Sequence, residues 1–451
     1  MKDYKNIHFI GIGGISMSAL AQILLAKGLK VSGSDINKSD ITDLLEKKGA
    51  LIHIGHNPNN IANPDLVVYT SAISKDNPEY KKSLSLDIPV LERGEFLGLM
   101  MEEYNKTTAI SGTHGKTTTT GMLSSIMLKT DSNPTILLGG EYHEIKGNVK
   151  IGNRDYFLTE ACEYKKNFLN FKPYIGVILN IEEDHLDYYK DLDEIKNAFV
   201  DFSKKIPSYG FLVYNSDDSN QNNIFDEVLC NKKSFGINKS SFCRAENLKF
   251  NPYPSYKLII DDEYICHLEL KVPGIHNVYN SLAASACAYL SGAANCTIKK
   301  GLESFSGTKR RFEYKGTYNN VIIIDDYAHH PTEVKTTLET VSKLTEGNIH
   351  VVFQPHTFSR THALLDKFSE SFDAAKNVVL IDIYAAREKN DLNISSKDLL
   401  KKLVSRNVNA FYKESFEAAA EFLKEKSSSK DIIITMGAGD VYKIGDIITK
   451  D

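Results

Sequence analysis

The sequence predicts an α/β protein of three domains, and three observations carry that expectation. Short apolar runs alternate with stretches of helical periodicity along the whole chain. The 451 residues leave room for about three domains of ~150 residues each. Two glycine-rich turns each sit between a strand candidate and a helical run, the arrangement of βα units whose ligands lie beyond the carboxyl ends of a parallel sheet.

The elements follow in order. Residues 7–10 read as a buried strand, followed by Gly11-Ile12-Gly13-Gly14. Met17, Leu20, Ala21, Leu24 and Leu25 then recur at helical spacing, and Gly28 closes the run. Lys30–Asp35 reads as a second strand ending in an acid, and Leu66–Tyr69 repeats the signal before Thr70-Ser71-Ala72. A polar stretch at 102–106 separates this block from a new βα unit starting at 107–111, with a further strand at 176–179. Around Gly307-Thr308-Lys309-Arg310-Arg311 the pattern changes again. Runs at 321–324, 350–353, 378–381 and 432–434 form a third series of strands separated by helices. These breaks place three domains at 1–105, 106–313 and 314–451, with no internal repeat.

Composition narrows the function classes. A formal charge of −4 gives no basic field for nucleic acid or an anionic membrane. No apolar run approaches the ~20 residues that cross a bilayer, so no membrane insertion is expected, and no signal-peptide core precedes the first strand. Six scattered cysteines without a C-x-x-C suit a reducing cytosol and argue against a disulfide framework or a zinc ribbon. The expectation is a soluble cytoplasmic protein.

Gly112-Thr113-His114-Gly115-Lys116-Thr117-Thr118 carries the clearest chemistry. Glycines let backbone N–H groups turn around a phosphate, a lysine adds charge at the β/γ oxygens, and the Thr117 hydroxyl suits Mg²⁺. The common spacing puts its first glycine at position 110, where this chain has Ile110, so this is a shortened loop. A chance Gly-Lys-Thr turn lacks the strand–loop–helix context; ATP is the expected ligand. The first loop, Gly11, Gly13 and Gly14 with Asp35 downstream, is less specific, because Ser16 stands where a dinucleotide fingerprint has its third glycine. It reads as a plain turn, a nicotinamide-dinucleotide site or a seat for a diphosphate-bearing substrate.

Glu160 and the Asp184-His185 pair follow strand candidates behind the phosphate loop. Oxygen and imidazole ligands there suit Mg²⁺ or Mn²⁺ for phosphoryl transfer. In the third block, Asp325-Asp326-Tyr327-Ala328-His329-His330-Pro331-Thr332-Glu333 and Gln354-Pro355-His356-Thr357-Phe358-Ser359-Arg360 follow successive strands. Polar rings and a cation at two strand ends fit a substrate-carboxylate pocket, since arginine grips a carboxylate with two parallel bonds. Each histidine also reads as a satisfied structural residue, His330 before Pro331 most of all.

These motifs, with Phe-Gln-Pro-His at 353–356 and Gly-Ile-His-Asn-Val-Tyr-Asn at 274–280, resemble the Mur ligase family of cell-wall peptide synthesis. The likeness runs from about His8 to Asp440. Within the family it is strongest to members that join L-alanine to the lactyl carboxylate of UDP-N-acetylmuramate through an acyl phosphate. The resemblance implies a Rossmann-like N-terminal domain for the UDP-substrate, a central P-loop ATPase domain and a Rossmann-like C-terminal domain. Gly11, Gly13, Gly14, Asp35, Ser71 and Arg93 would then hold the UDP part. Residues 112–118 would hold the ATP phosphates, Asn277 and Asn280 would read adenine, and Arg311 and Asp326 would engage the nucleotide from the linker side. Thr117 and Glu160 resemble ligands of a first Mg²⁺, and His185 resembles a ligand of a second. Tyr327, His329, His356 and Arg360 would form the amino-acid pocket, with Lys116, Glu160, His185, His329 and Arg360 as the catalytic set.

Two departures from the family pattern stand out. Thr357 occupies a place where several relatives carry arginine, and residues 198–202 lack the carbamylated lysine that several sister ligases place downstream of the position of His185. Three other readings remain. A related ligase that adds a murein tripeptide shares the histidine-rich motif, but is not expected to carry Phe-Gln-Pro-His with a downstream Arg360. A dehydrogenase using NAD would build on the first glycine loop. A non-catalytic nucleotide-binding regulator would have no need of Lys116, Glu160 and His185 together.

Overall fold

The structure is a computed structural model that describes residues 4–386 and 388–450. Three sheets, drawn in turn from successive stretches of the chain, organise it. The first has five strands in the order Leu51–Ile54, Lys30–Asp35, Asn6–Ile10, Leu66–Tyr69, Val90–Glu92, and every pair is parallel. Ile7, Phe9, Leu66 and Val68 are fully buried on them, as a parallel sheet covered on both faces requires.

The central sheet has ten strands. Lys106–Ser111 lies between Ile175–Ile178 and Tyr156–Glu160, parallel to both. The loop leaving Lys106–Ser111 therefore opens at a point where the strand order reverses, where α/β sheets gather ligands. The helix after it, Lys116–Met127, buries Met122, Leu123 and Ile126 completely. It packs on Ile275–Leu290 and Asn295–Ser304. The close approach is possible because Gly301 meets the Ile126 backbone, where a Cβ would come within 2.5 Å.

The third sheet has six strands in the order Glu313–Tyr318, Val321–Asp326, Ile432–Met436, Ile349–Phe353, Asn377–Leu380, Ala410–Tyr412. Its isoleucine-rich middle strands form apolar layers on both faces. Leu186 of the central domain packs against one of these layers, so the second and third domains touch beside the phosphate loop.

The structure corrects the sequence reading in two respects. The second and third sheets are mixed: Cys243–Phe250, Pro254–Ile260 and Glu263–Glu269 form an antiparallel meander, and Gly147–Lys150 and Glu313–Tyr318 are antiparallel edges. No residue of the two edge strands is buried, so they lack the continuous apolar run that marks a buried parallel strand. Glu160, Asp325 and Asp326 are the last residues of their strands and not the first residues of the loops.

The linker between the second and third domains changes allegiance abruptly. Lys309 N–H donates to Glu141 O at 3.0 Å, and its ammonium pairs with the Glu141 carboxylate. Arg310 N–H instead donates to Glu313 Oε2 at 2.7 Å, and the Arg310 guanidinium pairs with Asp325 at 3.1 Å. Arg310 and Phe312 hold φ of +61° and +51°, a left-handed conformation that costs a non-glycine residue about 1–2 kcal/mol.

Candidate active site

The phosphate loop is held open by its neighbours. Gly112 and Gly115 have φ of +133° and +84°, and a Cβ on Gly115 would stand 2.5 Å from Asn280 Oδ1. Both reasons demand glycine there. The segment after Ile175–Ile178 braces the loop from outside: His114 N–H donates to Asn180 Oδ1 at 2.7 Å, and Asn180 Nδ2 returns a bond to His114 O at 3.1 Å.

Lys116 reaches back across the loop. Its ammonium donates to the Gly112 and Thr113 carbonyls and to Glu163, at 2.9 Å from Oε2. Burial works against both charges, but each sustains the other: Glu163 is held below the usual carboxylate range and Lys116 above the usual amine range. Thr117 Oγ1 donates to Glu160 Oε2 at 3.1 Å, while Gly139 N–H donates to Glu160 Oε1 at 2.6 Å. Burial pushes the Glu160 carboxyl upward. A hydroxyl and a carboxylate in contact form the hard oxygen set that Mg²⁺ prefers. His185 Nε2 lies 3.6 Å from Glu163 Oε1 and 3.7 Å from Asp184 Oδ2, with its ring against Tyr164.

A cavity of about 220 Å³ opens beside the loop. His114, Gly115, Thr118, Asn277, Asn280, Arg311 and Asp326 all line it, so the two residues expected to read adenine and the two expected to engage the nucleotide from the linker side converge there. Asn280 Nδ2 donates to Asn277 Oδ1 at 3.1 Å, and Asn280 Oδ1 accepts from Thr119 at 3.1 Å. Burial raises Asp326 to about 7 although Arg311 is near. His276, not singled out from the sequence, also lines the cavity, and burial lowers it to about 4.

The third domain closes over the loop. Glu333, from the helix Pro331–Val341, accepts from His114 Nδ1 at 3.1 Å. Thr332 Oγ1 donates to Glu182 Oε2 at 2.6 Å. His330 caps that helix and bonds Glu183 O through Nε2 at 3.0 Å, the structural role its place before Pro331 implies. Desolvation opposes a charge on His114, yet the flanking Glu182 and Glu333 raise it to about 9.

A second cavity, of about 340 Å³, lies between the same domains. His185, His356, Arg360, Ser359 and Glu388 are on its wall. Arg360 is bound across the interface by Asp184, whose carboxylate it holds below the usual range against the cost of burial. Arg360 Nη1 also donates to His356 Nδ1 at 2.9 Å. Of the four expected amino-acid contacts, His356 and Arg360 line this cavity. His329 sits behind His356, with ring centres 5.6 Å apart. Tyr327 is further back, its ring beside the guanidinium groups of Arg310 and Arg311. Burial lowers His329 to about 3 and His356 to about 4, so both rings are neutral near pH 7. Thr357 donates no charge; it caps the short helix Phe358–Ala363.

In the first domain, the glycine loop is wound tightly on its own sheet. Gly11 and Ile12 N–H both donate to Ser34 O, and Gly13 N–H donates to Asp35 Oδ2 at 2.9 Å. Asp35 therefore holds the loop's shape. Arg93, at the start of the helix Arg93–Met101, reaches Ser16 Oγ at 3.4 Å, so the residue replacing the third glycine is paired with the expected cation. Ser71 lies in an exposed turn at the same carboxyl edge.

Family models match all three domains: the Mur ligase family catalytic domain over 6–105, the Mur ligase middle domain over 110–288, and the Mur ligase glutamate ligase domain over 310–439. The chain belongs to the Mur ligase family. This Mur ligase is 51% identical to the UDP-N-acetylmuramate–L-alanine ligase of Acetivibrio thermocellus, covering 99% of this chain and 96% of the relative. It is 49% identical to the enzyme of the same name from Clostridium tetani, covering 100% and 99%. The UDP-N-acetylmuramate–alanine ligase structure from Thermotoga maritima superposes with a TM-score of 0.80 at 30% identity, covering 99% and 98%. A murein peptide ligase from Psychrobacter arcticus shares the fold of this Mur ligase at 24% identity, with a TM-score of 0.74 over 98% of each chain.

The sequence reading missed the partners that hold these groups in place. Glu163, Asn180 and Glu333 lie within or beside the quoted motifs, but their function arises only when distant strands meet. Glu388 is visible as a group only through its bond to Ser359 N–H at 2.8 Å.

Proposed function

We propose that this chain joins L-alanine to the lactyl carboxylate of UDP-N-acetylmuramate at the expense of ATP, a step of peptidoglycan precursor synthesis in the cytoplasm. The observation that carries the reading is identity near 50% along the whole chain to relatives bearing that name, together with an intact phosphate loop and Glu160. Among the described residues, no helix is long and apolar enough to cross a membrane.

A carboxylate is a poor electrophile because an amine cannot expel oxide. Attack of the lactyl carboxylate on the γ-phosphorus of ATP forms an acyl phosphate and releases ADP. The alanine amine then adds to the acyl carbon, and the tetrahedral intermediate expels phosphate. Phosphoryl transfer depends mostly on neutralising charge on the transferred group. Lys116 serves this purpose from the loop, exchanging its loop carbonyls for phosphate oxygens while Glu163 keeps it charged. Thr117 and Glu160 would hold Mg²⁺ and His185 would contribute to a second ion; the ions would neutralise the phosphate oxygens. Arg360, poised by His356 and Asp184, would take the alanine carboxylate. The contacts of Glu333 with His114 and of Thr332 with Glu182 would keep water from the acyl phosphate while the domains are closed.

ADP release measured with UDP-N-acetylmuramate and each amino acid in turn tests the reading. Release with alanine as the preferred acceptor supports it. Release only with a murein tripeptide, or reduction of NAD with no ADP formed, overturns it.

A further inference from the structure

His114, Glu182 and His330 come together where the third domain meets the phosphate loop. Each offers one ligand atom, and the three atoms lie within 4.8 Å of one another. None belongs to the Thr117, Glu160 and His185 set that the ligase chemistry uses. We propose that these three residues form a separate binding site for a borderline-soft divalent ion, Zn²⁺ by chemical class, which clamps the third domain onto the phosphate loop.

Four observations support the site. His114 Nε2 is buried and has no hydrogen-bond partner; an ion arriving there displaces the proton that Glu182 and Glu333 favour on the ring, the release that accompanies metal binding to imidazole. That nitrogen stands 3.6 Å from Glu182 Oε2; two ligand atoms on a tetrahedral ion with ~2.1 Å bonds stand about 3.4 Å apart. The outer contacts engage one nitrogen of each imidazole and hold both rings in place. His114 Nδ1–H donates to Glu333 Oε1 at 3.1 Å, and His330 Nε2–H donates to the Glu183 carbonyl at 3.0 Å. A carboxylate or carbonyl on the second ring nitrogen is how proteins orient metal-bound histidine. It leaves Nδ1 of His330 to ligate, at the expense of a 3.3 Å bond from Thr332 N–H. Finally, His114 and Glu182 line the nucleotide cavity, which gives an ion its path in.

Two imidazoles with one carboxylate favour Zn²⁺ over Mg²⁺, which prefers an all-oxygen shell and dehydrates reluctantly. The ligands come from two domains, so occupancy and closure are coupled. An ion here ties the loop to the helix Pro331–Val341 independently of any substrate.

The test uses the full chain without nucleotide. Zn²⁺ alone is titrated against a chromophoric chelator, and Co²⁺ alone is followed by its visible absorption. One equivalent of Zn²⁺ per chain is expected, with affinity falling at least tenfold in Glu182→Gln and in His330→Gln and unchanged in His185→Gln. Glu182→Gln keeps an oxygen for Thr332, so it decides the matter if His330→Gln fails to fold. Absence of stoichiometric binding, binding unaffected by Glu182→Gln, or binding lost in His185→Gln overturns the proposal.

Discussion

Arg360 of the third domain grips Asp184 of the central domain with a fork: Nε and Nη2 stand 3.0 and 2.9 Å from Oδ1, and Nη2 stands 3.2 Å from Oδ2. Both side chains are more than nine-tenths buried. The group expected to bind a substrate carboxylate is thus already matched to a carboxylate of the protein. On the proposed reading, an amino acid entering the adjoining cavity would share or replace Asp184, so that domain closure and alanine binding would draw on the same cation.

Arg360→Ala is therefore expected to raise the KM for alanine at least tenfold, with much smaller changes for ATP and UDP-N-acetylmuramate. Truncating one partner of a desolvated pair costs roughly 2–5 kcal/mol. Arg360→Lys should rescue only partly, because an ammonium lacks the planar fork. Steady-state kinetics with each substrate varied in turn checks this; normal alanine dependence with impaired ATP use would move Arg360 to the nucleotide.

Lys116→Ala should remove most turnover, by a factor on the order of 10²–10³ or more, as for other electrostatic clamps. Binding of the UDP-substrate by the first domain should remain nearly intact. ADP release and isothermal titration of UDP-N-acetylmuramate separate the two effects, and near-normal ADP release would remove Lys116 from the chemistry.

Glu160→Gln removes a charge but keeps the bond from Gly139 N–H. The Mg²⁺ concentration for half-maximal ADP release should rise at least tenfold in this variant, since ligand charge dominates affinity for hard cations. An unchanged Mg²⁺ dependence would place the ion elsewhere.

In the first domain, UDP should stabilise the full chain against heat and NAD should not, because ligand binding to the folded form alone raises the melting temperature. Arg93→Ala should weaken UDP binding about tenfold or more, the loss of a charge-assisted contact worth about 1.5–3 kcal/mol. Stabilisation by NAD alone would reverse the assignment of the glycine loop.

Glu79 sets an acid limit on the same domain. It is fully buried, and burial opposes its charge. Bonds from His8, Ser34, Asn60 and Asn57 N–H nevertheless lower it to about 2. A depressed acid stabilises the fold above its ordinary value near 4.5, and that contribution disappears as pH falls through 2. The contribution is about 3 kcal/mol, and denaturant unfolding of Glu79→Gln should show a shallower loss of stability between pH 4.5 and 2.

What the sequence made legible was local. Gly112 to Thr118 declare a phosphate loop because strand, turn and helix are contiguous; Leu66–Tyr69 has the predicted bounds because its apolar run ends at Thr70-Ser71, and Lys30–Asp35 has them because Gly28 closes the helix before it. The meander from Cys243 to Glu269 was not legible, because exposed residues such as Lys257 and His267 interrupt its pattern. Asp184 and Glu163 gave no signal as partners of Arg360 and Lys116. A carboxylate near a strand end resembles any solvated loop acid until a cation from 176 residues away is folded against it.

The linker at Lys309-Arg310 has a mechanical consequence. Lys309 is bonded to the central domain and Arg310 to the third, so the two bodies are joined like a crank and its mount, with a single bearing between adjacent residues. Arg310 and Phe312 are tied to the sheet edge by Asp325 and Asp326. A swing of the third domain would turn about this point once the contacts of Glu333 on His114 and of Arg360 on Asp184 part. Arg311 sits at this point, its N–H donating to Thr308 O at 3.1 Å, and lines the cavity beside the phosphate loop. A ligand that pulled on Arg311 would act at the axle with a very short arm, and small displacements there would sweep His329, His356 and Arg360 through much larger arcs.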